Sequence, residues 1–325
     1  MKNKIAVGLY GLNGHQIQRQ LLAHPDAELV AVAGVSPEFV AGIPESVRVY
    51  GTLAELLRDT QVELVSLCSP RRADQAADAV ACLKAGKHVY AEKPGALTEE
   101  ALDAILRAAR ESGKEFHEMA DTVFHEPFWT MRNLVRSGKL GKVVQVYIQK
   151  SYPLRPGIRP QDEDTDGGLI RWVGIHGIRF LEHITGERVK DIRVFQTHLG
   201  NVTGDRGLFT AASWAMTLEN GGVAAMCANY LNPKGFPAWG NETVRVFGTQ
   251  GMIEITDGAL KSHWYGPEED LGPIDVSQSH CRDFFDLYMA HLRFGEPMPM
   301  DSEEELHPLR VVIRAFEGAE TAKAK

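Results

Sequence analysis

Five short runs, at residues 4–9, 29–35, 64–68, 88–91 and 115–119, largely apolar in the first four, alternate with stretches of helical periodicity. Runs so short and so apolar fit strands buried on both faces, and strict strand–helix alternation implies parallel strands joined by right-handed crossovers. Residues 1–121 therefore read as an α/β domain with a doubly wound parallel sheet, the Rossmann arrangement. Thr98, followed by Glu99 and Glu100, marks one helix start, because its hydroxyl caps free N–H groups while the two acids face the positive end of the dipole. That helix is expected to stop at Ser112-Gly113.

The pattern changes over residues 122–325. Residues 127–137 read as a helix, and 143–149, 213–218, 223–227, 244–247 and 252–255 as strands separated by signals such as Glu219-Asn220-Gly221-Gly222. This predicts an α+β domain built on a mainly antiparallel sheet. Residues 283–294 form an amphipathic helix pattern, and Ser302 with Glu305 makes a capping box that opens the last helix. Two domains suit 325 residues, more than one core usually supports, and a 44% hydrophobic content fills both.

Charge narrows the partners. Lys and Arg number 35 against 43 Asp and Glu, a net charge of -8, and no basic run forms a track for phosphates, which argues against nucleic acid. Ile5-Ala6-Val7-Gly8 is too short for a signal peptide and no stretch could span a bilayer, so a cytoplasmic protein without a membrane partner is expected. Cys68, Cys82, Cys227 and Cys281 lie far apart and read as reduced thiols.

The first strand runs into Gly11-Leu12-Asn13-Gly14-His15-Gln16 and then a helical pattern over residues 17–23. This is the place for a phosphate loop, where the backbone must turn tightly and approach a pyrophosphate at a helix N-terminus. Against G-x-G-x-x-G only Gly11 stands at a required position. Asn13 and Gln16 replace the other two glycines, while Gly8 and Gly14 add permissive sites. Asn13 tolerates the turn; Gln16 is expected to loosen the packing of helix on strand. At the end of the second strand Gly34-Val35-Ser36 stands where an acid would hold an adenosine ribose, and Arg71-Arg72 could face a ribose phosphate, a slight lean to NADP over NAD. Ser36, Ser69, Pro70 and Arg71 complete the expected cofactor contacts on this side.

The run Ala85-Gly86-Lys87-His88-Val89-Tyr90-Ala91-Glu92-Lys93-Pro94 resembles the glucose-fructose oxidoreductase and inositol dehydrogenase family, Gfo/Idh/MocA. The likeness continues through Gly138-Lys139-Leu140-Gly141-Lys142-Val143, through Gly167-Gly168 to Gly174-Ile175-His176, and through Phe247-Gly248-Thr249-Gln250-Gly251. The resemblance implies NAD or NADP as cofactor, with Glu92 and Lys93 beside the nicotinamide, Lys93 reaching the substrate hydroxyl and His176 exchanging its proton. Elementary chemistry agrees: oxidising a carbinol needs a group near neutral pKa to take the hydroxyl proton and a cation to steady the developing alkoxide.

One departure from the family pattern stands out. Where relatives usually carry an aspartate four residues before the histidine this chain has Trp172, and three residues after it has Arg179. Asp164 or Asp166 is the candidate replacement. His125 stands near a position where many relatives have an arginine, and His125, Tyr152, Asp164, Trp172 and Arg179 form the expected substrate wall, with Arg179 or Arg155 able to pair a sugar carboxylate. Asp162-Glu163-Asp164-Thr165-Asp166-Gly167 starts like a calcium loop but reaches Val173 where the bidentate acid belongs, and His176, His183 and His198 lack a tight ligand spacing, so no metal is expected.

The expected function is an NAD(P)-dependent oxidoreductase acting on a sugar, inositol or related polyhydroxylated small molecule. The missing aspartate leaves open a non-catalytic dinucleotide sensor, or an enzyme that oxidises transiently to allow elimination, epimerisation or glycoside cleavage. The family resemblance further implies a homo-oligomer, dimer or tetramer, paired through the second-domain sheet.

Overall fold

The computed structural model describes residues 4–154, 162–201 and 208–322. The chain falls into two compact units, the first Met1–Ala120 with Asp164–Asp166 and Phe284–Ser302, the second Asp121–Glu163, Gly167–Asp283 and Glu303–Lys325.

The first unit holds a six-stranded sheet of β1 (Ile5–Tyr10), β2 (Ala27–Ala33), β3 (Arg48–Tyr50), β4 (Leu64–Leu67), β5 (His88–Ala91) and β6 (Phe116–Glu118), in the order β3-β2-β1-β4-β5-β6. Every pairing is parallel. Strand order reverses between β1 and β4, the switch point where the carboxyl ends of doubly wound sheets open a crevice for ligands. Val7, Leu9, Ala31, Val32, Leu64, Val65, Leu67, Val89 and Ala91 are fully buried, as strands covered on both faces require. Each such Leu or Val contributes about 1.5–3 kcal/mol relative to exposure.

Local signals worked where they were strong. Thr98 Oγ1 accepts from Ala101 N–H at 3.2 Å, and helix Glu99–Ser112 ends at Gly113 with a φ of 65°. β2 stops at Ala33, two residues before the apolar run does, because Gly34 turns with φ of 61°. Three-residue β3 carries too little pattern to be read. The helix after the glycine loop is also shorter than its periodicity, spanning only Gln18–Leu21.

The second unit is built on an eight-stranded sheet of β7 (Val143–Ser151), β8 (Val189–Thr197), β9 (Ala211–Leu218), β10 (Val223–Asn229), β11 (Asn241–Gly248), β12 (Gly251–Thr256), β13 (Lys261–Tyr265) and β14 (Glu320–Thr321), in the order β13-β12-β11-β7-β10-β9-β8-β14. It is mainly antiparallel, with β7–β10 and β8–β14 parallel. Ala212, Trp214, Met216 and Leu218 alternate inward along β9. β8 escapes sequence reading because Lys190, Asp191 and Arg193 break up its apolar alternation.

Helix Gly174–Thr185 lies on this sheet, packed against β7 and β10. Its closeness depends on two glycines one turn apart. A Cβ on Gly177 would stand 2.0 Å from Met226 Sδ, and one on Gly174 would stand 2.6 Å from the Trp214 ring. A π-helical turn, Leu169–Val173, leads into it. In the first unit, helix Phe284–Phe294 is held by His24 Nε2 to Asp286 Oδ1 at 3.1 Å and by His291 Nε2 to Glu115 Oε1 at 3.1 Å. No helix of the described residues is long and apolar enough to cross a membrane.

Candidate active site

The glycine loop leaves β1 at the switch point and is folded back on its own sheet. Gly11 has φ of 69°, and a Cβ there would lie 2.1 Å from the Cys68 carbonyl oxygen, so only glycine lets β1 and β4 finish side by side. Gly11 N–H donates to Ala33 O at 3.0 Å, Asn13 N–H to Cys68 O at 3.3 Å, and Gly14 N–H to Leu12 O at 3.0 Å. Asn13 Nδ2 reaches Pro70 O at 3.1 Å and Thr165 O at 2.6 Å, which ties the loop to the acidic Asp164–Asp166 stretch. Leu12 stands exposed at the tip.

Gln16 does the opposite of loosening the packing. Its Nε2 donates to Gly11 O at 3.0 Å while its Oε1 accepts from Ser66 Oγ at 2.6 Å and from Ile17 N at 3.1 Å, stitching the loop to β4 in place of the missing third glycine. Gly8 is likewise a packing residue: a Cβ there would meet Val62 and Leu56 at 3.1–3.3 Å beneath the sheet.

Beyond β5, the carboxylate of Glu92 is fully buried and reaches back to the glycine loop. It accepts from the His15 backbone N–H, lies 2.9 Å from His15 Nδ1, and a Cβ on Gly14 would collide with it at 2.4 Å. Burial opposes its ionisation, but the His15 hydrogen bond and the charges of Lys93, His15 and Arg72 prevail and hold its pKa at about 2. Lys93 is almost fully buried, with Nζ 3.9 Å from Glu92 Oε1. Gln75 Nε2 donates to the carbonyls of Glu92 and, at 3.1 Å, Pro94, so the segment carrying the lysine is clamped from below.

The charges near the expected ribose site divide. Arg72 is 1% exposed and donates to Gln75 Oε1 and, at 2.6 Å, to Asn13 O, so it braces the loop and does not face a ligand, a correction of the expectation. Arg71 is exposed, 3.4 Å from Asp164 and 3.8 Å from Asp74. Ser36 Oγ accepts from Phe39 N at 3.3 Å as a helix cap, and Ser69 Oγ donates to Asp78 at 2.7 Å. Pro70 is exposed.

In the second unit His176 rides on the first turn of helix Gly174–Thr185, its Nδ1 3.0 Å from the hydroxyl oxygen of buried Thr122. That contact fixes the ring, with the Thr122 hydroxyl donating or accepting according to the tautomer. Tyr152 lies at the centre of a ring cluster: centroids 6.1 Å from Trp172, 6.2 Å from Trp239 and 6.5 Å from His176. Lys150 Nζ stands 4.6 Å from the Tyr152 centroid and pairs with Glu242. Burial favours the neutral amine of Lys150, but Tyr152 and Glu242 outweigh it and raise its pKa.

Two expected wall residues differ sharply in exposure. Arg179 is 0% exposed on the inner side of the helix, where its charge helps push His183 down to about 3, behind the larger effect of burial, so it serves the interior. His125 is exposed and engages Asp121 O at 3.3 Å and the Phe128 ring. Asp164 faces Arg71 within the first unit, and Asp166 adds to the charges around Arg72. Arg155 lies outside the described residues. His15, Gln75, Thr122, Lys150 and Trp239 went unread in the sequence, since each acts through a partner in another element.

Residues 4–119 match the oxidoreductase family with an NAD-binding Rossmann fold, and residues 128–254 match the GFO/IDH/MocA C-terminal domain. Among curated relatives, an oxidoreductase of Bacillus subtilis, YrbE, is 26% identical over 61% of this chain, and the match spans only 56% of YrbE. The scyllo-inositol 2-dehydrogenase (NADP(+)) IolW of the same organism is 27% identical over 97% of this chain and 93% of its own length. Aldose-aldose oxidoreductase from Caulobacter crescentus shares the fold with a TM-score of 0.81 at 19% identity, over 97% of each chain.

Proposed function

We propose, from the premise that the chain belongs to the Gfo/Idh/MocA oxidoreductase family, that it transfers hydride between NAD or NADP and a carbinol of a sugar, inositol or related polyhydroxylated small molecule. The observation that carries the reading is Lys93: a buried ammonium at the carboxyl end of a central strand, its partner carboxylate hydrogen-bonded to the glycine loop. A cation so enclosed strengthens as an electrostatic partner for a developing alkoxide, since little water screens it.

The residues at the switch point fit a dinucleotide. Glycines fill the positions where any Cβ would collide, and Leu12 and Gly14 stand at the exposed edge of the loop. When bound, the nicotinamide supplies the hydride acceptor or donor. Lys93 polarises the reacting hydroxyl, and His176, oriented by Thr122, takes or returns its proton. The end of β2 offers no carboxylate to repel a ribose phosphate, and exposed Arg71, after β4, is the cation we assign to meet one, a lean towards NADP. Residues 1–121 bind the dinucleotide and 122–325 bind substrate and pair copies of a homo-oligomer, a role supported by Val144, Tyr147, Phe195 and Val223, which leave apolar surface exposed on the sheet.

The test is nicotinamide absorbance with NAD and NADP against sugars, inositols and sugar acids. His176→Ala is expected to lower kcat by about 10²–10⁴-fold and Lys93→Ala by a similar factor. Unchanged turnover in either variant would remove that residue from the mechanism. Cofactor that binds with no reduction of any substrate would favour a sensor, the reading that Trp172 in the aspartate's place supports.

A further inference from the structure

The turn between helix Glu99–Ser112 and β6 lies at the amino ends of the parallel strands, at the opposite end of the sheet from the crevice that Gly11 and Lys93 border. A cavity of about 420 Å³ opens there, wholly within the first unit. Small-molecule sites commonly have that volume, and they combine apolar walls with a few polar groups. Here Leu106, Ala109 and buried Phe116 give the apolar wall, while Arg110, Lys114, Glu115 and Ser302 supply the polar groups.

Donors outnumber acceptors on this wall. Glu115, the acid in the lining, is already engaged: its Oε1 lies 3.1 Å from His291 Nε2 and its Oε2 3.6 Å from His117 Nε2. Arg110 is exposed and makes no ion pair or hydrogen bond among the described residues. Lys114 reaches His88, the first residue of β5, and what meets there is two donors. The Glu115 N–H donates to His88 Nδ1 at 3.3 Å, which uses the ring's one lone pair and puts its proton on Nε2. Lys114 Nζ stands 3.4 Å from that Nε2. Burial and then the Lys114 charge push His88 down to about 4, so at neutral pH the ring is uncharged and has no second acceptor to offer. An ammonium, a guanidinium and an imidazole N–H are left with no carboxylate to meet them, and an oxyanion accepts from all three kinds of donor.

We propose that this cavity is a second ligand site, separate from the dinucleotide crevice, for a small organic anion: a carboxylate or phosphate held by Arg110 and Lys114, on an apolar body that covers Leu106, Ala109 and Phe116. The two parts of the ligand do different work. The oxyanion supplies the acceptor that Lys114 and the His88 N–H lack, and the apolar body takes the place of water over the Phe116 side of the cavity. Neither cation belongs to the glycine loop or to the groups assigned to proton exchange, so the site stands independently of the oxidoreductase reading.

The experiment titrates phenyl phosphate, benzoate and inorganic phosphate into the native protein by calorimetry, with and without saturating NADP. Phenyl phosphate or benzoate is expected to bind at least about tenfold more tightly than inorganic phosphate whether or not NADP is present, and the tighter of the two assigns the head group. Arg110→Ala and Lys114→Met should each weaken that binding by about tenfold, the loss of one charge-assisted contact, while native Tm and NADP affinity show the variants to be folded. The imidazole C–H resonance of His88, identified by its loss in His88→Gln, should shift as the anion saturates. Displacement by NADP, or an affinity that both substitutions leave unchanged, would place the anion outside this cavity and overturn the proposal. Inorganic phosphate binding as tightly as phenyl phosphate would reduce the site to loose charge at the end of a helix and overturn the organic ligand, and so would no binding by any of the three.

Discussion

The glycine loop and the ring cluster put side chains to opposite uses. In the first unit nearly every polar group around the loop is engaged by a neighbour: Asn13, Gln16, Gln75, Arg72 and Glu92 all bond backbone or each other. In the second, His176 has Thr122 behind it and partly exposed aromatic rings around it. A site for a dinucleotide can be locked by its own scaffold, whereas one that chooses a substrate keeps surface for it. The difference teaches that the first unit should respond to substitution chiefly through stability and cofactor affinity, and the second chiefly through turnover.

Glu92 gives the largest effect on the locked side. Its pKa of about 2 against an ordinary 4.5 means that ionised Glu92 stabilises the fold by roughly 3 kcal/mol, in order of magnitude, above the ordinary value. Because the folded pKa is depressed, this contribution is present at neutral pH and is lost as pH falls from about 4.5 towards 2. Glu115, lowered to about 2 against its own burial by the nearby His117 imidazole and the His291 hydrogen bond, adds to the same acid slope. Glu92→Gln should flatten the dependence of Tm on pH across that window and lower Tm at pH 7. A variant whose acid slope matched the native protein would show that the Glu92–His15 link contributes nothing, and the contrast with the ring cluster would lose its strongest member.

How much of this was legible divides along the same line. The parallel sheet, the capped helix after Thr98 and the glycine loop were readable because each is encoded within a few neighbouring residues: apolar runs, a cap, a turn. Lys93 and His176 were singled out through the family resemblance and the chemistry it implies. Gln16 was misread, because its replacement of a glycine is compensated by Ser66, fifty residues away and unpredictable from local pattern. The burial of Arg72 and Arg179 was missed for the same reason, since a charged residue's default is the surface and only its partners say otherwise. The aromatic wall was half visible: Trp172 and Tyr152 were named, but Trp239 sits in a loop without periodicity.

Gly177 carries the next largest effect, on the other side of the comparison. Alanine there would push a methyl into Met226, a flexible side chain that can give way only by disturbing the packing of helix on sheet, at a cost of about 1–3 kcal/mol. The same helix carries His176, so turnover should fall along with Tm while NAD(P) affinity, measured by fluorescence titration, stays at its native value. A matching loss of cofactor affinity would mean that the two units do not answer separately, and would blunt the contrast.

Arg71 has the smallest effect on stability and sharpens the contrast most at the cofactor itself. Its contacts to Asp164 and Asp74 are long and exposed, worth at most about 1 kcal/mol between them, so Arg71→Ala should leave Tm nearly unmoved. If its guanidinium meets a ribose phosphate, the same variant should weaken NADP binding by about tenfold, the loss of one charge-assisted contact, and leave NAD unchanged. Equal effects on the two cofactors would assign Arg71 to the shared pyrophosphate or to the loop, and no effect on either would leave it a surface charge. Either result would move the choice between NAD and NADP to the turn after β2, where Gly34, Val35 and the cap residue Ser36 offer no carboxylate and the discrimination would have to come from shape.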